Sequence, residues 1–322
     1  DITFQYEGRI TEWPAWSANI LSNDWVEIGM YLPWFPLNPA YGDFTSDLEV
    51  TCDPAWQVRS FGSFEQEGDR WTFSQAQPVN DIVVMAARNL KTIHVPGKNP
   101  RMQVHYVTIS EATASQLGDD LSSVVTLFDG WFGDIDRDYV TLVASPREQG
   151  GGYTRPGLIV LGGLDDEGFA SGREVFLRYV GHEAAHLWWH NASPGTWQDW
   201  LNEGFAEFSA LLVIEELFGP EAFQARLDEM AAAAVGTPPL WEFDRRDTST
   251  PEKAAAIEGI LYSKAPVLLQ ELRQRMGQKP FFRLCCQMVE SGTSTTEAFL
   301  AIVAEISGTE TAEWFETELR TR

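Results

Sequence analysis

An α+β fold is predicted by three observations on the 322-residue chain. Short apolar runs, alternating or rich in aromatics, occupy its beginning. Helical periodicity dominates its second half, and a proline–glycine cluster lies between the two. The expected arrangement is an antiparallel β-sheet domain over residues 1–98 followed by a largely helical domain over residues 99–322.

The β-rich assignment rests on runs such as Trp25–Tyr31, Leu48–Thr51, Trp71–Phe73 and Ile82–Ala86, separated by Gly, Pro, Asn and Asp clusters. Pro96-Gly97-Lys98-Asn99-Pro100 interrupts any strand or helix and sets the boundary. Beyond it the pattern predicts strands at Gln103–Ile109, Tyr139–Ala144 and Leu158–Leu161, with a helix over Ala112–Trp131. Ser171-Gly172-Arg173-Glu174 matches a capping box, which would open a helix reaching His190. Further helices are expected at Asp199–Phe218, Pro220–Ala234, Pro251–Glu258, Ser263–Met276, Pro280–Glu290, Thr295–Ile306 and Thr309–Leu319.

Composition narrows the function. With 23 basic against 47 acidic residues the net charge is −24, a field that repels polyanions and makes nucleic acid a poor partner. No apolar run approaches the roughly 18 residues of a membrane span. Three cysteines, Cys52, Cys285 and Cys286, cannot build a disulfide framework, and the adjacent pair falls in an apolar helical stretch as core thiols. The chain starts at Asp1 with no signal-like segment. It therefore reads as a processed or excised soluble piece, exported or tethered through an upstream segment.

The chemistry concentrates at residues 182–207. Gly181-His182-Glu183-Ala184-Ala185-His186 places two imidazoles one helical turn apart on one face, able to reach one ion. Trp200-Leu201-Asn202-Glu203-Gly204-Phe205-Ala206-Glu207 opens the next helix and offers Glu203 as third ligand. Two imidazoles and a carboxylate form a catalytic zinc set that leaves a position for water. Glu183 lies between the ligands but one position around the helix, where it serves as general base towards that water. Glu207, one turn past Glu203, is placed to accept a hydrogen bond from a ligand histidine. His190 adds a third imidazole, but Ala192 stands where a metzincin would carry its last histidine, so His190 is assigned to the pocket wall or surface.

These motifs, followed by Leu261-Tyr262-Ser263-Lys264-Ala265, resemble in content and order the gluzincin aminopeptidases typified by aminopeptidase N and leukotriene hydrolase. The resemblance implies a thermolysin-like catalytic domain over residues 99–322, one zinc ion, a peptide substrate, and a β domain incomplete at its start. It also implies that Tyr262 hydrogen-bonds the oxyanion of the tetrahedral intermediate. Two departures stand out. Sixteen residues separate His186 from Glu203, two fewer than is usual in the family, which implies a shortened loop around Pro194-Gly195. Where the family carries Gly-x-Met-Glu-Asn, whose glutamate grips the substrate's free amino group, this chain has Gly151-Gly152-Tyr153-Thr154-Arg155-Pro156. The expectation is a zinc peptidase lacking the usual acidic anchor for an N-terminus. The alternative is a module that keeps zinc and binds a peptide or protein without turnover.

Overall fold

A computed structural model describes residues 3–10, 18–32, 34–37, 42–97, 100–135 and 137–322. The N-terminal part forms two antiparallel sheets. One has the order β1 (Ile20–Leu21), β2 (Trp25–Ile28), β7 (Val84–Ala87), β4 (Gln57–Arg59). The other has β3 (Phe44–Thr51), β6 (Arg70–Val79), β5 (Ser63–Glu67). Alternation along Arg70–Val79 sends Trp71 and Phe73 into a small core with Val58, Val84 and Ala86.

The predicted boundary falls inside a third sheet. Strand β8 (Lys91–Val95) pairs antiparallel with β9 (Arg101–Tyr106), so Pro96–Pro100 joins two strands of one sheet; Lys98 and Asn99 of that segment lie outside the described residues. Helix α1 (Glu111–Phe132) then crosses over to β10 (Tyr139–Ala144), which is parallel to β9, as a parallel pair requires. The remaining strands are β11 (Gly152–Arg155) and β12 (Leu158–Leu161), giving the order β11-β12-β10-β9-β8 with β11 at an edge. Burial on both faces explains the nearly unbroken apolar runs of β10 and β12.

Helices α2 (Asp166–Ser171), α3 (Arg173–Ala185), α4 (Trp200–Phe218), α5 (Pro220–Ala234), α6 (Pro251–Gly259), α7 (Ala265–Met276), α8 (Gln278–Ser291), α9 (Thr296–Ser307) and α10 (Thr309–Thr321) complete the fold. They share one core with α1 and a face of the third sheet. Among the described residues no helix is long and apolar enough to cross a membrane. Cys285 is buried as expected, whereas Cys286 is only half-buried and its thiol meets the Trp131 carbonyl at 3.3 Å.

Two local expectations fail. Ser171 ends α2, donating its hydroxyl to the Glu167 carbonyl, and Glu174 accepts from Arg226, so no capping box forms and Gly172 caps α3 without a side chain. The sequence pattern could not distinguish one helix start from the join between two helices. Helix α3 also stops at Ala185 instead of His190. There the Trp189 carbonyl turns back to accept from His186 Nδ1 at 3.1 Å, while the Trp189 ring packs on Phe132 and Phe205.

The opposite face of the third sheet joins the N-terminal part, since Val143, Tyr153, Leu158 and Val160 share a core with Trp25, Val83, Met85 and Ala87. Two buried ion pairs cross this junction. Arg147 Nε lies 3.1 Å from Glu27 Oε1 with the side chains 3% and 0% exposed, and Arg155 lies 2.7 Å from Asp81, itself wholly buried. Arg147 also donates to the Gly151 carbonyl at 3.0 Å, tying the approach to β11. Removing one member of such a pair strands a buried charge. Arg147→Met should therefore lower unfolding free energy by about 3–5 kcal/mol, seen as a lower denaturant midpoint, and Glu27→Leu added to it should recover part of the loss. An unchanged midpoint would show that the pair does not hold the junction.

Candidate metal centre

Helices α3 and α4 pack antiparallel: His186 meets Glu203, His182 meets Glu207, and a Cβ on Gly181 would lie 3.3 Å from the Ala210 backbone. Gly204, beside the third ligand, allows equally close approach of α7, because a Cβ there would stand 2.7 Å from that of Ala265. The fold thus brings the two sequence motifs face to face. His182 Nε2 lies 3.4 Å and His186 Nε2 3.6 Å from Glu203 Oε2, and the ligand atoms of all three residues fall within 4.8 Å of one another. Ligand atoms about 2.1 Å from one tetrahedral zinc sit about 3.4 Å apart, so the set fits that ion with little adjustment.

The hydrogen bonds behind the ligands select the right tautomers. His182 Nδ1 meets Glu207 Oε2 at 2.8 Å and His186 Nδ1 meets the Trp189 carbonyl at 3.1 Å. With both Nδ1 atoms facing acceptors, each carries a proton there, and Nε2 is the atom left to ligate a metal. Glu207 therefore has the expected supporting position. It is further paired with Arg178, one turn before His182 on α3. That spacing was visible in the sequence; which residue Arg178 would meet was not.

Burial of so many ionisable groups shapes their chemistry. Burial alone would hold His182 neutral, but hydrogen bonds to Glu203 and Glu207 outweigh it and push its pKa well up; His186 is raised likewise by the charge of Glu203. Glu203 is held well below the usual carboxylate range, against its own burial, by His186 and His182. The protein's own field thus favours positive charge at this point, as a cation site requires. His190 stays outside the set, exposed at the rim, its Nδ1 on the His186 carbonyl.

Glu183 points to the same cleft from beneath β11. Its pKa is raised, chiefly by burial, with the two histidines pulling the other way. Thr154 donates to both the Glu183 carbonyl at 2.7 Å and Oε2 at 3.0 Å, although one hydroxyl proton serves only one of them at a time. Gly152 is required at this crossing, since a Cβ there would lie 2.6 Å from Glu183 Oε1. Tyr262 comes from a π-helical turn, Ile260–Lys264, where an expected α-helix beginning at Ser263 is replaced by the wider coil that precedes α7. Its ring stands 5.7 Å from that of His182, and burial together with Glu203 keeps the phenol protonated far above its ordinary range. Arg155 faces Asp81, and its guanidinium lies over the Tyr31 and Tyr153 rings, so its charge is neutralised inside the protein.

All five sequence-selected residues, His182, His186, Glu203, Glu183 and Tyr262, line one cleft with Gly151–Pro156. The partners Thr154 and Arg178, and Arg245, whose Nε donates to Asp199 Oδ2 at 2.8 Å, could not be assigned from spacing, since each acts across an element boundary. If Glu207 orients His182 as described, Glu207→Ala should weaken zinc binding by about 10- to 100-fold in competition with a chelator. Unaltered affinity would mean the ring is oriented by something else.

Residues 165–316 match the Peptidase family M1 domain. Glutamyl aminopeptidase of Bos taurus is 25% identical over 237 residues, covering 68% of this chain and 24% of that protein. The chain thus spans about a quarter of the length of this curated relative. Among solved structures, an M1 zinc metallopeptidase from Deinococcus radiodurans aligns with a TM-score of 0.66 at 21% identity, over 90% of this chain and 67% of that one. Leukotriene A4 hydrolase from Saccharomyces cerevisiae aligns with a TM-score of 0.68 at 15% identity, over 87% and 46%. Both likenesses are of fold.

Proposed function

We propose that this chain, whose residues 165–316 match the Peptidase family M1 domain, is a gluzincin peptidase that hydrolyses peptide bonds with zinc held by His182, His186 and Glu203. The observation that carries this reading is the convergence of three ligand atoms, a base and a phenol on one cleft. Zinc, when bound, lowers the pKa of water and polarises a carbonyl. The chain's own groups supply the rest.

Glu183 accepts a proton from the attacking water and returns it to the leaving amine; a carboxyl raised above its usual range suits both transfers. Tyr262, kept neutral by burial and by Glu203, has a proton to donate to the oxygen of the tetrahedral intermediate. The substrate lies extended along the free edge of β11, where backbone groups can pair with it.

Specificity departs from that of an enzyme that requires a free N-terminus. In the segment that would carry an acidic anchor, Thr154 bonds Glu183 and Arg155 is neutralised by Asp81. No carboxylate from Gly151–Pro156 faces a substrate ammonium, so the ion pair that would select it is missing.

Glu183→Gln and Tyr262→Phe should each remove most turnover, on the order of 10²-fold or more, while zinc content by metal analysis stays at one ion. Hydrolysis undiminished in Glu183→Gln would eliminate this mechanism. Peptides with free and N-acetylated termini should be cleaved at rates within about tenfold of each other, against the larger gap expected where an ammonium is held by a buried carboxylate. A strong preference for the free amine would mean that another acidic side chain provides the anchor. Tight peptide binding without turnover in the zinc-loaded protein would support the binding-module alternative.

A further inference from the structure

The two ligand imidazoles are steadied in different ways. His186 Nδ1 meets a backbone carbonyl, that of Trp189, whose position is set by the turn that ends α3. His182 Nδ1 instead meets a side chain, Glu207 Oε2, at 2.8 Å. A glutamate has several rotatable bonds, so one hydrogen bond does not by itself hold its carboxylate in place. Whatever engages the second oxygen also decides how His182 is oriented.

That second oxygen is taken by Arg178. Its Nη1 donates to Glu207 Oε1, so the carboxylate bridges Arg178 and His182, which lie one turn apart on the same face of α3. Glu207 is 4% exposed, and no other lysine or arginine pairs with it among the described residues. The span of this bridge is set by backbone packing, since α3 and α4 come close enough at Gly181 that a Cβ there would lie 3.3 Å from the Ala210 backbone. The Arg178 side chain itself stays 33% exposed, lines the cleft and lies outside the apolar core. Replacing it removes a charged donor without opening a core cavity.

We propose that Arg178 is a positioning residue for the metal: by holding Glu207 Oε1 it fixes the carboxylate that orients His182, and so sets how well Nε2 is presented to zinc. The inference rests on reading the cluster as a zinc site. It adds a residue that precedes the His182–His186 motif and acts on the metal through Glu207.

The test measures zinc affinity by competition with a chromogenic chelator, with no substrate present, in the parent protein, Arg178→Met, Arg178→Lys, Glu207→Ala and the double variant of Arg178→Met with Glu207→Ala. Arg178→Met should weaken binding about 10-fold, the lower end of the range for losing a group behind a metal ligand. Arg178→Lys keeps a charged donor for what is a single contact, and should bind within about threefold of the parent. In the Glu207→Ala background Arg178→Met should cost less than about twofold, because the group it holds is gone. Cobalt(II) in place of zinc gives a second readout. Its visible d–d bands, which follow ligand geometry, should change in Arg178→Met and return towards those of the parent in Arg178→Lys. Melting temperatures of the metal-free variants separate a general loss of stability from a local one, and Arg178→Gln takes the place of Arg178→Met if the latter does not fold. Equal losses in both Glu207 backgrounds, an unaltered affinity, Arg178→Lys as weak as Arg178→Met, or a loss that follows the metal-free melting temperature would overturn the proposal. A parent protein that takes up no zinc would overturn it together with the zinc reading, whereas one that binds zinc and hydrolyses nothing would reject the peptidase reading alone.

Discussion

The packing of α3 against α4 buries His182, Glu183 and Glu207, with the half-buried His186 and Glu203 beside them. Unpaired, each buried charge would cost several kcal/mol. The surrounding structure is arranged to prevent that. Glu207 takes His182 and Arg178, Glu203 faces both imidazoles, and Asp199 takes Arg245 and Asn202. Glu183 meets the Thr154 hydroxyl and has no ion pair with Lys or Arg among the described residues, and burial raises its pKa.

The substrate side depends on a different set of buried charges. Strand β11 is an edge strand, and an edge is free to shift unless something anchors it. Arg147 to Glu27 and Arg155 to Asp81 bind both ends of its segment to the N-terminal sheets, across a shared apolar core. The β-rich part is therefore one wall of the cleft. Thr154 completes the link by joining this strand to Glu183, so the position of Glu183 and that of the β11 edge are set together.

The shortened connection between His186 and Glu203 is accommodated locally. The helix stops at Ala185, Trp188 and Trp189 turn inward against the aromatic core, and Asn202 closes the loop onto Ala192. Two residues fewer than the usual spacing remove loop, while the contact between the helices that carry the ligands is preserved. A similar local adjustment, the π-helical turn at Ile260–Lys264, carries Tyr262 to the ligands before regular helix resumes.

The β-then-helix order, most helix limits after residue 195 and the His182, Glu183, His186 and Glu203 cluster are legible along the chain, and the order of the motifs adds Tyr262 by resemblance. These are legible because ligand spacing on a helix and the order of motifs are local properties of the chain. Packing across the chain sets the pairing of the strands that flank Pro96–Pro100, the role of Ser171 at the end of one helix instead of the start of another, and the neutralisation of Arg155 by Asp81. It also decided the partners Thr154, Arg178 and Arg245, separated from Glu183, Glu207 and Asp199 by 29, 29 and 46 residues. A pairing across such distances depends on how helices and strands pack, and no periodicity along the chain encodes it.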